Sequence, residues 1–157
     1  HIYYLYILIM HDIYYILAIL LIIIIMSNII LNIEYDIYSK RVYNLSNNFI
    51  NNLFIKKNFN KCKNLFCNDG IIIRKSKNKI KNIYYFNDIE NYLENFKNYS
   101  NFKILEKTFT INKINHIYEN IINIKYITDT MPKTKKCTIK LYINVNNYCI
   151  TELYILN

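Results

Sequence analysis

Four cysteines, Cys62, Cys67, Cys137 and Cys149, are the side chains in this sequence best suited to metal chemistry. Four residues separate Cys62 from Cys67, a spacing within reach of zinc-ligand pairs. Eleven residues separate Cys137 from Cys149, which is not the spacing of a zinc knuckle. The alternatives are a zinc site formed by all four and buried free thiols in a reducing compartment, and we favour the thiols. Cys-x-x-Cys is absent, so the sequence carries no redox or haem-attachment motif.

Catalytic motifs are absent from the rest of the sequence. His116 and Glu119 are three residues apart, but no second histidine accompanies them, so we interpret them as an ordinary structural pair. The single glycine, Gly70, excludes a P-loop, a dinucleotide-binding fingerprint and a nucleophile elbow, because each requires several glycines. The sequence therefore predicts no catalytic residue, no cofactor and a chain that is not itself an enzyme.

Basic residues are the third chemical feature. All 20 lysines and arginines follow residue 36, against eight acidic residues there, so this part carries a net charge of about +12. They form three clusters, at residues 56–63, 74–81 and 133–140. Such clusters can bind anionic lipid headgroups, RNA phosphates or acidic faces of neighbouring subunits. The alternative is a solvated lysine surface that codon bias has enlarged.

An A/T-rich gene would explain why lysine is so abundant. Ile, Asn, Lys, Tyr and Phe make up 103 of the 157 residues, and all five have A/T-rich codons. This composition resembles that of short open reading frames of protist mitochondrial genomes and of some AT-rich nuclear genomes. The resemblance covers the whole chain and identifies no family. Because the sequence also has no Arg-rich mitochondrial presequence, we expect synthesis inside the organelle.

An uncharged apolar run of 21 residues, Ile13–Ile33, is the strongest structural signal. At about 1.5 Å per residue a helix of this length spans the roughly 30 Å hydrocarbon core of a bilayer. Asp12 precedes the run and is expected to cap the helix N-terminus, with Tyr14 and Tyr15 at headgroup level. Alternatively the helix begins near Ile2 and places Asp12 inside the bilayer, as a functional carboxylate. The predicted anchor residues include Ile13, Tyr14, Tyr15, Ile24 and Ile33.

Charge predicts the orientation of this anchor. No lysine or arginine precedes the run, whereas Lys40, Arg41, Lys56 and Lys57 follow it. The positive-inside rule then places the C-terminal domain on the matrix side of a mitochondrial inner membrane. These four residues are the expected contacts with lipid headgroups or partner subunits.

The pattern behind the anchor predicts a small α+β domain with a C-terminal β-hairpin. We divide the chain into an apolar anchor (1–36), a helical connector (37–67) and the basic domain (68–157). Strands are predicted at 71–73, 79–86, 102–112 and 117–128, and a short helix at 88–99 with Asn87 and Glu90 as its capping box. Asn68-Asp69-Gly70 is predicted to be a turn, 131–133 a break, and Asn146-Asn147 the hairpin turn between 138–145 and 148–156.

One membrane helix followed by a basic extension is a layout that looks like the small single-helix stator subunits of ATP synthase. The sequence thus predicts a non-catalytic accessory subunit of a respiratory-chain (electron transport) or ATP synthase complex. Its expected partners are other subunits and membrane lipids. The alternative is an organellar ribosomal protein that binds rRNA through its lysines.

Overall fold

The computed structural model of the chain describes residues 2–76, 79–98, 102–128 and 131–156. It divides into two compact units, His1–Tyr38 and Ser39–Asn157. One helix, α1, runs from Ile2 to Ile50 and contributes to both units.

The first unit consists of the apolar part of α1. Between residues 13 and 33 the large apolar side chains are 42% to 65% exposed, so no other described part of the chain covers them. Within the described residues, α1 is the one helix whose length and composition would allow it to cross a membrane.

The prediction that Asp12 caps this helix is wrong. α1 begins ten residues earlier, at Ile2, because the apolar residues that precede His11 contain no helix breaker and the hydrogen-bond ladder continues through them. Tyr14 and Tyr15 therefore lie in the helix interior and not in its first turn. The Asp12 carboxylate is exposed, with Oδ1 4.0 Å from His11 Nδ1.

The second unit is a six-stranded sheet with a helical layer. A π-helix (Asn51–Ile55) follows α1, and α2 spans Phe59–Lys63. The strands are β1 (Phe66–Ser76), β2 (Lys79–Tyr85), β3 (Lys103–Ile114), β4 (Ile117–Thr128), β5 (Met131–Asn144) and β6 (Cys149–Leu156). Between β2 and β3 lie a 3-10 turn (Phe86–Asp88), α3 (Ile89–Glu94) and a second 3-10 turn (Asn95–Asn98).

The strand order is β2-β1-β6-β5-β4-β3. β1 pairs with β6 in parallel, and every other neighbouring pair is antiparallel. The predicted α+β domain with a C-terminal hairpin is confirmed, because β5 and β6 pair across a turn that contains Asn146 and Asn147. The predicted break at 131–133 is instead the start of β5.

One face of the sheet is covered and the other is polar. Along β4 the buried side chains alternate with more exposed ones, and the covered face includes Tyr118, Ile122 and Ile124. The second half of α1 and the π-helix supply the opposing layer, which contains Val42, Phe49, Ile50, Leu53 and Phe54. Burial of these apolar side chains from both layers is the main stabilising term.

A buried hydrogen bond fixes α1 over β4. Asn120 Nδ2 donates to Ser46 Oγ at 2.7 Å, and both residues are fully buried. Such a bond discriminates against sliding of the helix, because any displacement would leave a buried polar group without its partner.

Asn68-Asp69-Gly70 is not the turn that the sequence predicts. These residues lie within β1, where the pairing with β6 shifts between Phe66 and Ile71. β1 has four residues across this shift and β6 has only one, so the extra residues form an irregularity in the strand. The capping box is not formed either, because Asn87 lies in the 3-10 turn and α3 begins at Ile89.

We expect Gly70→Ala to lower the free energy of unfolding by about 1–3 kcal/mol. A Cβ at this position would lie 2.9 Å from two backbone oxygens, those of Cys67 and Ile150, and backbone cannot move aside cheaply. Urea unfolding of the detergent-solubilised full chain, followed by circular dichroism, measures the change. Asn68→Ala is the control, because Asn68 is exposed in the same irregularity. Equal stability of the two variants would contradict the close packing at Gly70.

Candidate ligand-binding pocket

An aromatic wall lies between the helical layer and the sheet. Phe102 stacks on Phe54 of the π-helix with ring centroids 4.3 Å apart and on Tyr126 of β4 at 4.4 Å. The π-helix contributes to this arrangement because Leu53 and Phe54, adjacent in sequence, are both buried there. Lys57 then turns the chain with a positive φ of 51°, and Asn58 caps α2 by accepting from the Lys61 N–H. The three rings form one side of a pocket.

The opposite side and the floor come from α3 and the sheet. Tyr92 of α3 and Phe96 of the following turn have ring centroids 6.2 Å apart, and Phe96 lies edge-on to Phe54 at 5.8 Å. Cys137 of β5 and Ile155 of β6 are buried beneath the rings. The pocket is a partly open cleft with a volume of about 400 Å³, within the range of small-molecule sites.

Three basic side chains complete the lining: Arg74 of β1, and Lys135 and Lys136 of β5. All three are exposed, and none forms an ion pair with a described residue. Two of the three clusters identified in the sequence thus meet at this pocket. By contrast, the first cluster points elsewhere: Lys63 lies 4.0 Å from Glu90 and 5.2 Å from the Phe86 ring centre.

The titratable side chains that line the pocket are those of arginine, lysine, tyrosine and cysteine. Its lining has no Asp, Glu or His, the usual general bases, among the described residues. The one thiol in the described lining, Cys137, is not activated, because burial raises its pKa to about 11. The thiol is therefore protonated at neutral pH and unsuited to nucleophilic attack.

The four cysteines do not form a zinc site. Cys67 and Cys149 are joined by a disulfide, with Cα atoms 5.0 Å apart, while Cys62 and Cys137 are buried free thiols. Within the described residues, no group of three His, Cys, Asp or Glu side chains is placed to hold a metal ion. The free-thiol interpretation is thus correct for Cys62 and Cys137 and wrong for the other two. Burial raises the Cys62 pKa to about 12.

The four basic residues expected to contact lipid or partners are in different environments. Lys40 and Lys56 are exposed. The Arg41 guanidinium lies 4.7 Å from the centre of the Tyr148 ring and donates to its hydroxyl, so it links α1 to the β5–β6 turn. Lys57 Nζ donates to the Lys97 carbonyl at 3.4 Å.

Sequence reasoning missed the aromatic residues that line the pocket. The five aromatic ones are Phe54, Tyr92, Phe96, Phe102 and Tyr126. The chain has 17 tyrosines and eight phenylalanines spread along its length, so composition and spacing do not distinguish these five from the rest.

No protein-family profile and no curated protein matches the sequence. Solved structures share its fold. A protein of unknown function with a cystatin-like fold from Nostoc punctiforme has a TM-score of 0.58 and 10% identity, over 75% of this chain and 89% of that one. A protein with a ketosteroid isomerase-like fold from Catenulispora acidiphila, in complex with trimethylamine, has a TM-score of 0.50 and 10% identity, over 71% and 82%.

The orange carotenoid protein of Anabaena, binding canthaxanthin, has a TM-score of 0.56 and 15% identity over 71% of this chain. This chain spans only about a third (34%) of that protein's length. At these identities the likeness establishes the cystatin-like, ketosteroid isomerase-like fold alone. That fold accommodates ligand binding and other roles, so function has to be argued from the pocket.

The polar face of the sheet carries a separate cluster around Glu119. Its Oε1 accepts from the Tyr142 hydroxyl at 2.8 Å and lies 3.4 Å from Lys140 Nζ. The Tyr142 hydrogen bond is the main reason that the Glu119 pKa is lowered, and burial raises the Tyr142 pKa to about 12. The described partners of Glu119 on the outer face therefore include Tyr142 and Lys140, and not His116, with which the sequence suggested a pair.

We expect Tyr142→Phe to weaken the dependence of stability on acid pH. The pKa of Glu119 is lower in the folded protein than in the unfolded chain. Ionised Glu119 therefore contributes fully to the free energy of unfolding above its unfolded-state pKa, and this contribution is lost as the pH falls through its folded-state pKa. Without the Tyr142 hydroxyl, the folded-state pKa of Glu119 moves towards its unfolded-state pKa. The free energy of unfolding should then change less between roughly pH 3 and pH 5. Urea titrations at several pH values test this. In a Glu119→Gln background, Tyr142→Phe should leave the pH dependence of the unfolding free energy unaltered. A change in that background would mean that another titrating group causes the pH dependence.

Proposed function

We propose that this protein is a non-catalytic, membrane-anchored binding module whose C-terminal domain holds a small apolar ligand. The observation that carries the proposal is the aromatic pocket of about 400 Å³, whose described lining contains no Asp, Glu or His and whose one thiol is protonated. Solved structures of the same fold include one in complex with trimethylamine and one binding canthaxanthin, which is consistent with a binding role.

The anchor is the exposed apolar part of α1. A run of 21 uncharged residues whose large side chains are about half exposed would be very unfavourable in water. A bilayer removes this cost, and a helix satisfies its own backbone hydrogen bonds there. A core helix of a soluble domain would be covered by other elements, and no described residue covers this run.

We retain the proposal that the module belongs to a respiratory-chain or ATP synthase complex of the mitochondrial inner membrane. The composition supports organellar synthesis, and the anchor supports a membrane complex over a ribosome. The ribosomal alternative also loses candidate phosphate contacts, because Lys63, Lys125 and Lys140 form internal ion pairs.

The compartment proposed here differs from the sequence-based one. Disulfides persist in oxidising compartments, so the Cys67–Cys149 bond favours the intermembrane space over the matrix. The positive-inside rule counts short segments beside the membrane, and long domains cross largely regardless of charge. Because codon bias inflates the lysine content, we give the disulfide more weight and place the domain on the oxidising side.

The pocket is tested with the full chain in phosphatidylcholine nanodiscs and the neutral fluorescent dye phenylnaphthylamine. We expect one saturable site per chain above the signal of chain-free nanodiscs. Cys137→Phe should abolish it by filling the floor, whereas Thr138→Phe adds a ring on the opposite face of β5 and should keep it. Ile155→Phe provides a second way to fill the pocket. Binding that survives both filling variants, or no saturable binding at all, would refute the proposed function.

The compartment is tested by counting thiols in the organelle. After rapid blocking of accessible thiols in denaturant, a mass-tagged maleimide added after reduction should label two cysteines, the disulfide pair. The double variant Cys67→Ser/Cys149→Ser should then show no tag. Absence of the tag from the unaltered chain would mean that all four cysteines are free thiols. The domain would then be assigned to the matrix, as the sequence predicts.

A further inference from the structure

We propose that the natural ligand is an amphipathic anion: a flat or extended apolar body between the rings, with an acidic group held by Arg74 and Lys135, while Lys136 adds positive charge at the rim from the other face of β5. This inference rests on the proposed function and specifies its ligand class.

The strand register directs two of these cations over the pocket. Arg74 lies opposite Ile155 in the parallel β1–β6 pair, and Lys135 lies opposite Tyr126 in the β4–β5 pair. Side chains directly opposite each other in a sheet share a face, so both cations lie on the face that carries Ile155 and Tyr126. Because β1 and β5 flank β6, the two charges approach the pocket from either side of one strand.

These charges lack the compensation that other lysines have. Lys63, Lys125 and Lys140 each pair with a glutamate, whereas none of the described residues lining the pocket is acidic. Uncompensated positive charge beside an apolar cavity attracts an anion, since field lines are focused where low-dielectric walls exclude water. Arg74 can in addition bind a planar carboxylate through two parallel hydrogen bonds.

The interior determines the rest of the ligand. Phe54, Phe102 and Tyr126 form a continuous stacked wall, with successive centroids 4.3 Å and 4.4 Å apart, which favours a planar or conjugated body. A neutral thiol at Cys137 and the absence of described carboxylates mean that nothing in the lining repels an acid. An aromatic or polyene carboxylic acid has the required chemistry.

Two dyes with the same rings separate charge from apolar contact. Anilinonaphthalene sulfonate is phenylnaphthylamine with an added sulfonate, and both are titrated against the full chain in uncharged nanodiscs. The triple variant Arg74→Gln/Lys135→Gln/Lys136→Gln should weaken the sulfonate roughly tenfold or more, by loss of charge-assisted hydrogen bonds. It should change the affinity of the neutral dye by less than about threefold. Added salt should weaken only the sulfonate.

The control variant Lys61→Gln/Lys81→Gln/Lys113→Gln removes the same charge at exposed sites outside the pocket. It should leave sulfonate affinity within about threefold of the unaltered chain. An equal loss in both triple variants would show attraction to net charge and overturn the inference. So would sulfonate binding that the pocket variant leaves unchanged, although the neutral dye would still support the proposed function. Failure of both dyes to saturate would remove the function and the inference together.

Discussion

The parallel pairing of β1 with β6 is the interaction on which the rest of the domain depends. Without it the sheet would separate into a β1–β2 hairpin and a β3–β6 meander, each formed from neighbours in sequence. Parallel strands need a long connection, and here the connection contains α3 and the other four strands. The pair is also where the disulfide lies, joining Cys67 near the start of β1 to Cys149 at the start of β6. A cross-link over 82 residues restricts the unfolded chain strongly and so stabilises the least local contact of the fold.

This pairing also creates the pocket mouth. Arg74 belongs to β1 and Lys135 to β5, and they come together only because β6 lies between their strands. The irregularity at Gly70 lets β1 reach this register, since the strand carries extra residues between Phe66 and Ile71 before regular pairing resumes. The close approach of two backbone oxygens to Gly70 explains why the chain's single glycine is located there.

The layer above the sheet gives the pocket its apolar character. α1 is fixed by the buried Ser46–Asn120 hydrogen bond, and the π-helix that follows places Phe54 against Phe102. Short π-helical segments are frequent at functional sites because they change which side chains face inward. The exposed apolar segment that we propose as the anchor is the N-terminal part of α1.

Much of the local structure was determined by the sequence alone. Alternating apolar residues predicted β3, β4 and β6 closely and β5 without its first seven residues, and the alternating Ile139, Leu141, Ile143 and Val145 are all buried. Such patterns are readable because side chains in a strand alternate between faces whatever the strand pairs with. The helix through the uncharged run at 13–33 was also predictable from the sequence, since length and apolarity are local properties. Local turn chemistry was less reliable: Asn68-Asp69-Gly70 became a strand irregularity, because pairing with β6 outweighed the turn preference of these residues.

The pocket was decided only by the tertiary structure. Arg74 and the adjacent pair Lys135 and Lys136 were visible in the sequence as members of two separate clusters, but nothing in the sequence placed the two clusters together. The aromatic wall joins Phe54, Phe102 and Tyr126 from three distant segments, and in a chain this rich in aromatic residues no local pattern marks them. The disulfide was hidden for the same reason, since cysteines 82 residues apart become neighbours only through the β1–β6 pairing. Non-local contacts of this kind depend on how whole faces of the sheet and the helices pack together. Patterns along a single sequence do not show which distant segments will pack against each other.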